Sequence, residues 1–267
     1  MLPSTIFKIS GLNLSLSLMI ALGLSCTALA EDDTSAQENR VWDIEVDLGL
    51  INTSGNTETT SLQAKVDAKQ TLEKWENQYI FSTLYKEDQV EQDDGTKATE
   101  KTAEKYFGSL KSAYLIGVEK SYLFGYGSHT HDEFGAYRSY STVALGYGDW
   151  LYSTPKVQWF VEAGPGYFEG KKTDELNPDA EIIESGAMVR AASELVWKIT
   201  GNSEFKQLVS VESGSDNTRT ISETSVSANI TNAMKMKVGF NIANDTDVAP
   251  GKEKTDTTTF VNLVYNF

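Results

Sequence analysis

The chain has 267 residues, with 23 basic against 38 acidic side chains and a net charge of −15. That balance excludes nucleic acid and anionic membrane surfaces as electrostatic partners. The length and the single cysteine suit one large domain held without disulfides.

Near the start of the chain Lys8 stands ahead of a run of apolar and small residues from Gly11 to Leu24, broken by Asn13. Ala28-Leu29-Ala30 then offers a small-x-small cleavage site before Glu31, Asp32 and Asp33. This pattern predicts a signal peptide over residues 1–30, cut near Ala30, and a short polar segment over 31–40. Cys26 offers a lipidation alternative, which Gly23, Leu24 and Ser25 fit poorly. Cleavage after Ala30 would remove the only cysteine. Beyond it, no apolar run reaches the ~20 residues of a membrane helix. A chain that still crosses a bilayer must close into a barrel, because lipid leaves no other partner for backbone polar groups.

From Val41 onward about 12 strands alternate with period 2. The expected fold is therefore all-β, a transmembrane antiparallel β-barrel over residues 41–267. In the first strand Trp42, Ile44, Val46, Leu48 and Leu50 share one face; Asp43, Glu45, Asp47 and Gly49 share the other. A turn at Asn52–Asn56 leads to a second strand with Leu62, Ala64, Val66 and Ala68 outward and Lys65, Asp67 and Lys69 inward. Pairing Ile51 near Thr57 would set Asp43 opposite Lys65 and Ile44 opposite Ala64. The third strand carries Tyr79, Phe81 and Tyr85. The fourth runs about 102–115, the fifth 121–128 and the sixth 136–151. In the seventh, Val157, Trp159, Val161 and Ala163 oppose Gln158 and Glu162. In the eighth, Ala187, Val189, Ala191, Leu195 and Trp197 oppose Glu184, Arg190 and Glu194. The ninth and tenth run about 204–212 and 219–230. In the eleventh, Met236, Val238, Phe240 and Ile242 oppose Lys235, Lys237, Gly239 and Asn241. The last strand alternates from Thr257 to Phe267, an aromatic ending that resembles the sorting signal of outer-membrane barrels.

With the first strand starting in the periplasm, short turns fall near Glu73, Gly117, Thr154, Gly201 and Asn232. Longer polar loops are expected at 87–101, 129–135, 169–181, 213–218 and 244–256, the asymmetry of outer-membrane barrels. Trp42, Trp75, Trp150, Trp159 and Trp197 fall near periplasmic strand ends and, with Phe267, are expected as interface aromatics. A soluble sandwich with five core tryptophans would leave the signal peptide, the loop asymmetry and the terminal Phe267 unexplained.

The stretch from Asp47 to Thr57, continuing to Thr59 and Leu62, resembles the opening of the YdiY-like family, usually called salt-induced outer-membrane proteins and classed as a domain of unknown function. Its turn motif is Gly55, Asn56 and Thr57. His131 to Phe134, Tyr137 to Ser139, Leu145 to Gly148 and Ala163 to Tyr167 fit the same likeness, which covers 41–267. The resemblance implies an outer-membrane barrel linked to salt or osmotic conditions. It carries no catalytic residues.

Three groups are candidate sites. The two histidines, His129 and His131, stand beside Asp132 in an expected surface loop and are weak metal candidates. Serines abound without a motif that singles out a nucleophile, so no enzyme and no cofactor is expected. Carboxylates at Glu87, Asp88, Glu91, Asp93, Asp94 and Glu100, and at Asp174, Glu175, Asp179 and Glu181, could hold cations at the outer rim. The expected lumen holds Asp43, Glu45, Asp47, Lys65, Asp67, Lys69, Lys105, Lys111, Glu162, Arg190, Glu194, Lys206, Glu212, Arg219, Glu223, Lys235 and Lys237. Two readings stay open: a narrow pore for ions or small solutes, and a closed structural barrel whose loops bind cations or envelope components. The partners expected are outer-membrane lipid, lipopolysaccharide and the machinery that inserts barrels.

Overall fold

The computed structural model describes residues 41–53, 59–91, 97–116, 121–173, 181–248 and 253–267. The expected signal peptide, the segment 31–40 and the turn motif Gly55-Asn56-Thr57 lie outside them.

Alternation of apolar and polar side chains produces strands throughout. They are β1 (Trp42–Thr53), β2 (Thr59–Thr71), β3 (Trp75–Glu91), β4 (Lys97–Ile116), β5 (Ser121–Asp132), β6 (Ser139–Ser153), β7 (Val157–Thr173), β8 (Glu181–Lys198), β9 (Ser203–Ser213), β10 (Thr218–Asn229), β11 (Met234–Asp245) and β12 (Thr255–Asn266). Each pairs antiparallel with its sequence neighbours, and β1 pairs with β12 to close the barrel. The closing seam joins Glu45 to Asn266 and Leu48 to Leu263, and Phe267 donates its amide to the Ile44 carbonyl at 3.0 Å. Closure removes the sheet edges that would otherwise expose unpaired amides.

The outer wall is apolar. Leu50 and Leu145 are each 71% exposed, and Val143, Val189, Val238 and Val261 stand out beside them. A continuous apolar belt of this kind is solvated by lipid, with backbone groups satisfied in the ladder. On β4 to β7 the belt ends upward in one register step. Leu110, Gly127, Val143 and Tyr167 form one row; Gly108, His129, Ser141 and Glu169 form the next.

Several expectations need correction. The β1–β2 register is displaced by four residues: Asp47 faces Lys65 and Asp43 faces Lys69. β1 runs on to Thr53 and β2 starts at Thr59, so the connection has the expected five residues but falls two residues later than the sequence pattern implied. An even displacement keeps every side chain on its own face, which is why the inside–outside pattern is unchanged. The loop expected at 87–101 is largely strand, because β3 reaches Glu91 and β4 starts at Lys97, and the first five residues of the loop expected at 169–181 are strand, because β7 reaches Thr173. β3 and β4 have 17 and 20 residues, well beyond the ~9–11 that a tilted strand needs to span a bilayer. Their upper ends stand in water on both faces, so charge replaces alternation there. Residues 129–132, expected in a loop, likewise complete β5.

Candidate functional site: the barrel lumen

Contacts between strands that are not neighbours must cross the interior of a closed barrel. Lys65 on β2 reaches Glu223 on β10 at 3.4 Å, and these strands lie four apart in the ring. Lys69 on β2 reaches Glu194 on β8 at 3.9 Å, and these lie six apart in a ring of twelve, diametrically opposite. Glu194 also takes Lys206 at 3.1 Å. Toward the β1 seam, Lys235 meets Glu45 at 2.9 Å and Lys237 meets Asp47 at 2.6 Å. Asp67 accepts from the Gln78 amide at 2.8 Å, while Asp43 is exposed at the lower rim opposite Lys69. The exposure of these side chains is uneven: Lys69 is 45% exposed and Lys65 20%, whereas Asp47 and Lys237 are nearly buried.

The other half of the lumen is packed around a buried carboxylate and aromatic rings. Glu162 on β7, with its carboxylate 1% exposed, takes Lys111 at 2.5 Å, Arg190 at 2.6 Å and the Tyr122 hydroxyl at 3.0 Å. Lys111 lies 4.3 Å from the Phe160 ring centre, and Arg190 lies 3.9 Å from that of Tyr126. Cations stacked on rings in low dielectric keep part of their stabilisation without water. Above this cluster Tyr137, Tyr140, Phe168 and Met188 form a second buried group.

The aromatic interior has a backbone cause. Tyr122 pairs with Gly148 and Phe124 with Gly146 in the β5–β6 register. A Cβ on Gly148 would fall 2.2 Å from the Tyr122 ring, so the ring lies flat where a side chain would stand. Gly164 meets backbone instead, with the Leu145 carbonyl oxygen 2.0 Å from its would-be Cβ, so β6 and β7 approach more closely than side chains allow. Sequence reasoning missed this wall, because Tyr122, Phe124 and Tyr126 alternate with Leu123, Gly125 and Gly127 and give no polar face. The signal that could have found it was an aromatic run facing a glycine run one strand later.

Trp150 is a correction of the expected interface set. It packs inside against Ala113, Tyr122 and Phe124, and its ring lies 5.4 Å from Phe160. It shares the inward parity of Tyr140, Thr142 and Ala144, and Leu151 then bulges so that Tyr152 pairs with Trp159. Trp42, Trp75, Trp197 and Phe267 stand exposed at the lower strand ends, and Trp159 stacks on Tyr152 at 6.0 Å.

The grouping of His129, His131 and Asp132 is split by strand parity. Both imidazoles face outward, His129 against the Ser141 hydroxyl at 2.9 Å and His131 beside Tyr106. Asp132 faces in and pairs with Lys105 at 3.1 Å. Among the described residues no cluster of metal-ligating side chains forms. Of the rim carboxylates, Asp88 takes Lys86 at 2.6 Å and Glu181 lies 3.9 Å from Lys171. Glu87 accepts from the Tyr85 hydroxyl, and Glu100 and Glu91 sit in the extended β3–β4 hairpin. Asp93, Asp94, Asp174, Glu175 and Asp179 lie outside the described residues. On the upper hairpin, hydrogen bonds to Glu104 and then to Glu133 hold the Lys101 ammonium above its ordinary value.

An uncharacterized protein of Escherichia coli (strain K12), YdiY, is 27% identical over 257 residues, covering 93% of this chain and 95% of that protein. Among solved structures, the translocator domain of the autotransporter NalP from Neisseria meningitidis is 14% identical, covering 94% of this chain and 97% of its own, with a TM-score of 0.47. An outer-membrane channel from Pseudomonas putida F1 is 10% identical, covering 89% and 100%, with a TM-score of 0.48. Likeness of that degree is one of barrel architecture alone. The model of a family described as a protein of unknown function, DUF481, matches residues 46–267, and the chain belongs to that family.

Proposed function

We propose that the chain is an outer-membrane barrel that provides a narrow, passive passage for small ions, with its strand ends Trp42 and Asn266 toward the periplasm. The observation that carries this reading is the set of lumen charges that are wet and yet touch across the barrel. Lys65 with Glu223 and Lys69 with Glu194 leave water beside them but no wide channel between them. Mixed-sign wall charges favour small ions over neutral solutes of sugar size. The apolar belt would face outer-membrane lipid and lipopolysaccharide. The resemblance of the Asp47–Leu62 stretch supports a role under salt or osmotic stress.

A second reading, a closed structural barrel, is favoured by the diametric Lys69–Glu194 contact alone. Proteoliposomes separate the two. With a narrow passage, entrapped small ions equilibrate while an entrapped disaccharide is retained. Retention of both by folded protein removes the passage; loss of both removes its narrowness.

A further inference from the structure

We infer that Arg219 is an oxyanion-binding group in the upper lumen, suited to a compact monocarboxylate. Arg219 is inward on β10, between Glu212 of β9 and Asp245 of β11 in register. Both carboxylates are engaged elsewhere. Glu212 accepts from Thr142 at 3.1 Å and lies 3.6 Å from Arg190; Asp245 accepts from the Asn217 amide at 2.8 Å. Arg219 instead crosses to β6, four strands away, with its guanidinium carbon 4.7 Å from the Tyr140 ring centre. It is 7% exposed, and among the described residues no hydrogen bond or ion pair reaches it, so what is open of it meets solvent at donors that no protein acceptor occupies.

A largely enclosed guanidinium with no protein acceptor keeps donors available to a ligand, since arginines placed so deep usually pair or hydrogen-bond. Stacking uses the face of the guanidinium and leaves its edge free. That edge is a planar fork of donors that matches the two oxygens of a carboxylate. Tyr140 is held in turn by Phe168, stacked at 5.7 Å, and by Tyr137 at 5.2 Å, so the platform is fixed before a ligand arrives. Glu212 and Asp245 narrow the class further. Two carboxylates flanking one cation repel multiply charged phosphates and leave a small monoanion as the fit.

This inference rests on a wet lumen but not on conduction. The test is a titration of carbon-13-labelled acetate into the refolded full chain in detergent, read by exchange broadening of the acetate signal, with inorganic phosphate in parallel. Wild type should bind acetate in preference to phosphate, and Arg219→Gln should weaken acetate by about tenfold or more, the scale of charge-assisted hydrogen bonds. Arg219→Lys keeps the charge without the fork and should fall between. Equal acetate binding by wild type and Arg219→Gln overturns the inference, as does absence of binding by folded wild type or a preference for phosphate. Because the readout needs no current, a barrel that binds acetate but does not conduct refutes only the passage.

Discussion

Glu162 is the most consequential single side chain in the lumen, and Glu162→Gln tests why. Its carboxylate is 1% exposed and is shared by Lys111, Arg190 and Tyr122. Gln keeps the shape and can still accept one hydrogen bond, but it leaves two cations facing each other. Lys111 is 17% exposed and retains only its aromatic rings; Arg190 is 7% exposed and retains Glu212 at 3.6 Å. Breaking a buried pair by removing one partner costs about 3–5 kcal/mol, since an uncompensated charge stays behind. The remaining Glu212 contact offsets part of this for Arg190, so the low end, about 3 kcal/mol, is expected. The assay is equilibrium urea unfolding of the refolded barrel in lipid vesicles, followed by tryptophan fluorescence. Adding Lys111→Met to Glu162→Gln should recover more than 1 kcal/mol in a double-mutant cycle, because the stranded ammonium is then gone. A loss below about 1 kcal/mol for Glu162→Gln would refute the reasoning, since that is the scale of a hydrated surface pair.

Gly148→Ala should push the Tyr122 ring off Glu162 and cost about 1–3 kcal/mol by the same unfolding assay, with a matching loss in Tyr122→Phe smaller than that. Gly164→Ala meets the Leu145 carbonyl, which cannot rotate away, and should abolish the heat-modifiable folded band on a gel. Leu145→Arg, at a site 71% exposed, should still cost about 2–4 kcal/mol because the exposure is to lipid; a change within 0.5 kcal/mol would remove the apolar belt from the membrane. Brominated lipids should quench Trp42, Trp75 and Trp197 in single-tryptophan variants and spare Trp150, which lies inside. Replacing His129 and His131 by Ala should leave zinc affinity unchanged in a competition titration, since Asp132 is on the opposite face.

Strand number and facing were legible because period 2 is a local property: Trp42 to Leu50 and Met236 to Ile242 carry it in every second residue. Register was not, because it depends on where along the chain the turn falls, here two residues later between Thr53 and Thr59, and an even slip leaves both faces intact. Strand ends above the bilayer were misread as loops, since Glu87 and Glu100 face water on either side and carry no alternation. Lumen charges could be placed by parity, but which ones meet could not. Lys65 meets Glu223, 158 residues away, only because the barrel closes. The aromatic half of the lumen was hidden because Gly146 and Gly148 on β6 make room for rings on β5, a cross-strand fact. Trp150 was misplaced because the polar residue beside it, Asp149, has the outward parity of Leu145 and Tyr147 and so points to the wrong inside.

The central claim is that side chains meeting across the lumen set its width, and single-channel conductance in a planar bilayer tests it most directly. Wild type should give small, reproducible steps in a salt gradient. The double variant Lys69→Ser with Glu194→Ser, which removes the diametric contact, should raise step size severalfold while the fold is retained. Equal steps from the two proteins would contradict the account, because the passage would then be limited somewhere other than at the bridged charges.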